Sequence, residues 1–280
     1  MNKIIGVLLS ATLVALPIFS AAQQAETVWI PMQAEANAAP VQLEATLHRP
    51  SGAVPVPVVM FHHGSSGGPI PPSYTEQAAG LARFLNARGI ALLVPMRSGR
   101  GRSEGPDNEQ PSECTLPATE AGMRNASASL DASMAWLRAQ SWADMSRVVM
   151  AGHSRGGILS VVYAANHPAA VRGSINFSGG WKDDRCGEVD VNEAIFRAAG
   201  ASAERAPALF LYARKDGFYA DASMERYGRV FQEAGGLVTF RFYELGDVNG
   251  HLLFRRKQSL WEPDVDAFLA QVGLIPPRAN

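Results

Sequence analysis

Val148-Val149-Met150-Ala151-Gly152-His153-Ser154-Arg155-Gly156-Gly157-Ile158 is the stretch from which the architecture can be read. Its first four residues, Val148 to Ala151, are a short apolar run, as in a strand buried on both faces. From Arg155 to His167 the apolar spacing becomes helical. Between strand and helix stands Gly152-His153-Ser154-Arg155-Gly156, a G-x-S-x-G pattern in the one context that gives it chemical meaning. The turn has to be so sharp that the backbones two residues before and after the serine nearly touch, which glycine permits because it lacks Cβ. Such a turn lifts the Ser154 hydroxyl to the mouth of a site. The helix start beside it offers backbone N–H groups and partial positive charge to a developing oxyanion.

Outward from this turn, apolar strands and amphipathic helices alternate. Val41 to Arg49 reads as a half-exposed strand, Val56 to Phe61 as a buried one ending in His62-His63-Gly64, and Tyr74 to Arg88 as a helix. Ile90 to Val94 is a strand stopped by Pro95, and Leu116 to Gln140 has helical spacing. Further strands are expected at Gly173–Phe177, Ala208–Ala213 and Leu237–Leu245, with a closing helix over Gln258–Val272. Steady alternation predicts an α/β fold, a mostly parallel β-sheet with helices on both faces, whose functional loops gather at the carboxyl ends of the strands. No internal repeat or linker divides the chain, so one domain is expected over residues 23–280.

On the motif and its setting the sequence resembles the α/β-hydrolase superfamily, and within it the dienelactone-hydrolase-related and secreted acetyl-esterase-like serine hydrolases. The resemblance spans about residues 41 to 272. It departs from dienelactone hydrolases in carrying serine where those enzymes typically have cysteine. It also has His62-His63-Gly64-Ser65-Ser66-Gly67-Gly68 in place of a contiguous glycine triplet. The resemblance implies the chain order serine, acid, histidine. Of the two histidines after Ser154, His167 sits in Asn166-His167-Pro168 at a helix end, whereas His251 follows the last strand and is the expected base. Asp216, just past the penultimate strand, is the expected acid, with Asp221 and Asp247 as rivals. The oxyanion donors are expected to be the backbone N–H groups of Arg155 and Ser65. His63, Trp181 and Arg97 are candidates for the substrate pocket, and Arg100, Arg102 and Arg155 are considered with Arg97 for holding an anionic group.

The chain has 280 residues, 47% hydrophobic and 18% charged, with a formal net charge of -1. That balance offers no basic footprint for nucleic acid. Lys3, an apolar run from Ile4 to Phe19 and then Ser20-Ala21-Ala22 read as a secretory signal peptide over residues 1–22, placing the mature chain in the periplasm or medium. No later stretch is long and apolar enough for a membrane span. Cys114 and Cys186 are the only cysteines, and an oxidising compartment favours a disulfide between them. They fall in two expected loop insertions over the site, about residues 97–119 and 181–205, which such a bridge would staple together. Neither has metal-ligand spacing, and His62 and His63, as strand neighbours, point to opposite faces, so no metal is expected.

The expected function is hydrolysis of a small-molecule carboxylic ester through an acyl-Ser154 intermediate, with no cofactor. A peptidase of prolyl-oligopeptidase type, a lactonase or a thioesterase would use the same chemistry. A non-catalytic secreted binding module is the reading from another class, and it would have no chemical need for Ser154, Asp216 and His251 together. Oligomeric state is not legible in these residues.

Overall fold

A computed structural model describes residues 25–277 except 34–38, 53, 66–69, 110–112, 183–190 and 203–205. The expected signal peptide and Cys186 therefore lie outside the described residues.

The strands are β1 (Glu26–Met32), β2 (Val41–His48), β3 (Val56–His62), β4 (Ala91–Pro95), β5 (Ala143–His153), β6 (Ser174–Phe177), β7 (Ala208–Ala213) and β8 (Val238–Tyr243). They form one sheet in the order β1-β2-β4-β3-β5-β6-β7-β8. β1–β2 and β2–β4 are antiparallel, and every pairing from β4 onward is parallel. The helices are α1 (Ala79–Asn86), α2 (Leu116–Arg138), α3 (Arg155–Asn166), α4 (Val191–Gly200), α5 (Asp221–Glu233), α6 (Leu253–Arg256) and α7 (Gln258–Gln271), with a 3₁₀ turn at Gly250–Leu252.

Strand periodicity divides the core in two. Along β3, Val58 and Met60 join one buried cluster with residues of α2, α3, α4 and α5, while Val59 and Phe61 join the other with residues of α1 and α7. All of β3 is buried, as befits a strand covered on both faces. The mostly parallel α/β sheet expected from sequence is thus present. Because β4 and β5 flank β3, chain direction across the sheet reverses there, and a crevice opens at the carboxyl ends.

Several boundaries differ from expectation. The helix expected from Tyr74 begins only at Ala79: Tyr74 N–H closes a turn onto Pro71 O, and in the irregular stretch that follows the Glu76 side chain accepts from Ala78 N–H. β4 includes Pro95, paired with Ala45. The expected insertion at 181–205 contains helix α4, whose Ile195 and Phe196 are buried, with Phe196 packed on Phe210 and Tyr227. β1 carries no expectation from sequence. It is an edge strand exposed over much of its length and containing Pro31, which an edge tolerates.

Candidate active site

Ser154 occupies the turn between β5 and α3 with φ 56° and ψ −124°, a conformation that costs a non-glycine residue energy and persists only where its surroundings enforce it. Those surroundings are backbone. A Cβ on Gly152 would stand 2.1 Å from Gly156 O, and one on Gly156 would stand 2.0 Å from His62 O. Ser154 N–H is tied to Phe177 O at 2.9 Å. We expect Gly156→Ala to cost about 3 kcal/mol or more, because the atom it meets is backbone and cannot swing aside. Urea unfolding measures this, and wild-type stability in that variant would contradict the tight turn.

The loops after β7 and β8 meet beside it. His251 Nδ1–H donates to Asp216 Oδ2 at 2.8 Å, and the Asp216 side chain has no exposed surface. Its other oxygen accepts from Phe218 N–H at 2.8 Å and Tyr219 N–H at 3.4 Å. Asn249 staples the two loops, its Oδ1 accepting from both His251 N–H and Gly217 N–H at 2.9 Å. The rivals lie elsewhere. Asp221 opens α5 and accepts from Arg214 and from Lys215 N–H, and Asp247 projects into solvent 3.9 Å from Lys215 Nζ. His167 stacks on Tyr163 at the end of α3.

His251 is held towards the serine turn by the preceding residue. His153 Nε2–H donates to His251 O at 2.9 Å, and the two rings are 4.8 Å apart. No hydrogen bond joins Ser154 Oγ to His251. Burial, and then the proximity of His251, push the His153 pKa down to about 3 against the bond to the His251 carbonyl. Unfolding restores the ordinary value near 6.5. Between these values the unfolded chain binds more protons, so the contribution of His153 to stability is full above about pH 6.5 and falls as pH drops towards 3. His62 and His63 are lowered in the same direction by burial. Urea midpoints should therefore fall steadily from pH 7 to pH 4, and His153→Phe should reduce that slope by about one proton. An unchanged slope in the variant would contradict a neutral buried His153.

The loop after β3 is anchored from beneath. His63 Nδ1–H donates to Gly64 O at 2.7 Å, and Nε2 accepts from Arg97 N–H at 3.2 Å, an arrangement that requires the neutral ring. Arg97 donates to His63 O at 2.8 Å and grips Glu109 through two bonds of 2.5 and 3.0 Å. Burial alone would raise the Glu109 carboxyl, but Arg97 and Arg100 outweigh it and bring it below its ordinary range. A Cβ on Gly64 would lie 3.0 Å from the Ser154 Cβ, so this loop reaches the Ser154 turn. The N–H of Arg155, in the first turn of α3, has no partner within the helix.

A cleft of about 360 Å³ opens here, lined among others by His63, Gly64, Ser65, His153 and His251. Two pocket candidates are corrected. Arg97 is fully buried as an anchor of the His63 loop. Trp181 is 2% exposed, lies outside this lining, and packs beneath the Arg155 guanidinium at 5.3 Å. Arg100 is fully buried near Asp107 and Glu109, and Arg102 pairs with Glu44. Sequence reasoning missed Tyr74, Glu76, Phe218 and Arg255 in the lining. One signal was available for Arg255, which stands four residues after His251 and so on the same side of a helical turn. Among the described residues no cluster of three or more potential ligands could hold a metal, and no helix is long and apolar enough to cross a membrane.

A search of curated proteins by sequence finds no match. Among solved structures, the chain is similar to an esterase from Butyrivibrio proteoclasticus with ferulic acid bound, at 17% identity and a TM-score of 0.62, covering 87% of this chain and 98% of that one. It is similar also to a Pyrococcus furiosus esterase, at 12% identity, TM-score 0.65 and 89% and 90% coverage. Thermogutta terrifontis esterase 2 matches at 14% identity, TM-score 0.61 and 94% and 100% coverage. These likenesses establish the α/β-hydrolase fold. The sequence profile of the dienelactone hydrolase family matches residues 43–261, from β2 through the loops that carry Ser154, Asp216 and His251 into α7. The chain belongs to the dienelactone hydrolase family and is an ester- or lactone-cleaving hydrolase.

Proposed function

We propose that the protein is a secreted serine esterase that cleaves small carboxylic esters through an acyl-Ser154 intermediate. The observation that carries this reading is the buried Asp216–His251 hydrogen bond, formed beside the strained Ser154 turn. With Nδ1–H committed to Asp216, the other ring nitrogen, Nε2, is left as the acceptor for the serine proton. Ser154 Oγ attacks the carbonyl carbon as its proton passes to His251, and the oxygen takes negative charge facing the N–H groups of Arg155 and Ser65. Collapse expels the alcohol, which takes the proton from His251. Water then attacks the acyl-serine with His251 again as base, releasing the acid and restoring the serine. Asp216 stabilises the imidazolium in both halves without itself taking the proton.

Secretion rests on the composition of residues 1–22. Export followed by N-terminal sequencing should give a chain beginning at Gln23. A Cys114–Cys186 bridge belongs to the same proposal, and treatment with reductant should alter thermal inactivation more than the fold. The test of function is a p-nitrophenyl ester series from acetate to palmitate. Turnover with a preference for short chains supports the reading, and no turnover in folded protein contradicts it.

A further inference from the structure

We propose that Arg255 makes the cleft selective for esters that carry an uncharged oxygen acceptor in the chain lying beside it, such as an ether or hydroxyl; this rests on the esterase reading above. Tyr74, Glu76 and Arg255 form a polar group on a cleft wall that also includes Ile70, Pro71 and Phe218. Its hydrogen bonds can be accounted for one by one. The Tyr74 hydroxyl gives its single proton to Glu76 Oε2 at 2.7 Å and accepts from Arg255 Nη2 at 2.9 Å. Glu76 Oε1 accepts from Ala78 N–H at 3.0 Å, and Oε2 accepts from Arg255 Nη2 at 2.5 Å. Glu76 is 7% exposed, and both of its oxygens are engaged.

The guanidinium is the group with capacity left. It has five N–H donors, and its bonds within the described residues all leave from Nη2. Nε and Nη1 belong to a side chain that is 47% exposed and lines the cleft. Its charge is already matched by Glu76, so the wall offers donors without a net positive field. A carboxylate guest would be brought close to the Glu76 carboxylate. An alkyl guest would cover the free donors and give them nothing in place of water. A neutral oxygen meets neither penalty.

Two matched sets of esters test this. One is the p-nitrophenyl esters of hexanoate, γ-methoxybutyrate and monoglutarate, which vary the acyl chain. The other is the acetates of pentanol, γ-methoxypropanol and γ-hydroxybutyrate, which vary the alcohol. In one of the two sets, kcat/KM for the ether ester should exceed both the alkyl and the carboxylate ester by at least about tenfold. In Arg255→Leu the ether-to-alkyl ratio should fall to about one. The wild-type ratios decide even if that variant does not fold. Ratios near one in both sets, a preference for the carboxylate, or a preference that survives in folded Arg255→Leu would overturn the proposal. Flat ratios with brisk turnover would sink this inference and leave the esterase reading standing, whereas no turnover of any ester would remove both.

Discussion

Ser154→Ala is expected to lower kcat for ester hydrolysis by at least about 10⁴-fold, by comparison with subtilisin, where loss of the nucleophilic serine costs about 10⁶-fold. The residual rate would come from binding and the oxyanion donors, which the substitution leaves in place. The fold should be indifferent to it. Among the described residues Ser154 Oγ donates no hydrogen bond, the turn is enforced by Gly152, Gly156 and the Ser154 N–H to Phe177 O bond, and alanine tolerates φ 56° no worse than serine. Thermal unfolding should therefore shift by no more than a few degrees. A variant that stays folded and keeps more than about a hundredth of wild-type turnover would place the nucleophile elsewhere.

Asp216→Asn is expected to cost about 10³- to 10⁴-fold near neutral pH, and the structure gives the reason. Asp216 Oδ1 is held by the N–H groups of Phe218 and Tyr219. An asparagine there would keep its carbonyl oxygen on those donors and turn its amide N–H towards His251 Nδ1. The ring would then have to accept at Nδ1 and carry its proton on Nε2, the wrong tautomer to take a proton from serine. Asp221→Asn is the matched control. That carboxylate is 39% exposed and pairs with Arg214, so the change should alter kcat by less than about threefold. Equal effects at the two positions would contradict Asp216 as the orienting acid.

Much of this was legible in the sequence for a definite reason. β3, β7 and the part of β5 from Val148 onward are buried on both faces, so their apolar runs stand out, and the Ser154 turn announces itself because backbone contacts of about 2 Å exclude any side chain at Gly152 and Gly156. What stayed hidden depends on distant partners. The edge strand β1 has apolar residues from Val28 to Met32, but Pro31 falls among them and much of the strand faces outward, so it does not stand out as a strand. Helix α4 lies in a stretch that reads as loop, and its burial comes from Phe210 and Tyr227 on other elements. Arg97 looked like a pocket arginine because nothing in its neighbourhood reveals that Glu109 folds back to neutralise it. The cleft wall is the extreme case, since Arg255 and Glu76 are 179 residues apart and only the fold brings them together.

The role of Asn249 and His153 shows the same limit within the site. Both lie in segments singled out by sequence, yet their work is to tie one loop to another. Asn249 joins the Asp216 loop to the His251 loop, and His153 joins the Ser154 turn to His251. Together they fix the relative positions on which the Asp216–His251 bond depends.

The most direct test of the central claim is covalent labelling with a fluorophosphonate, followed by mass spectrometry of the modified peptide. We predict one equivalent of label per chain, on Ser154, formed slowly or not at all in Asp216→Asn and absent in Ser154→Ala. Label on another residue, or no label on folded protein that turns over esters, would contradict a mechanism that runs through acyl-Ser154.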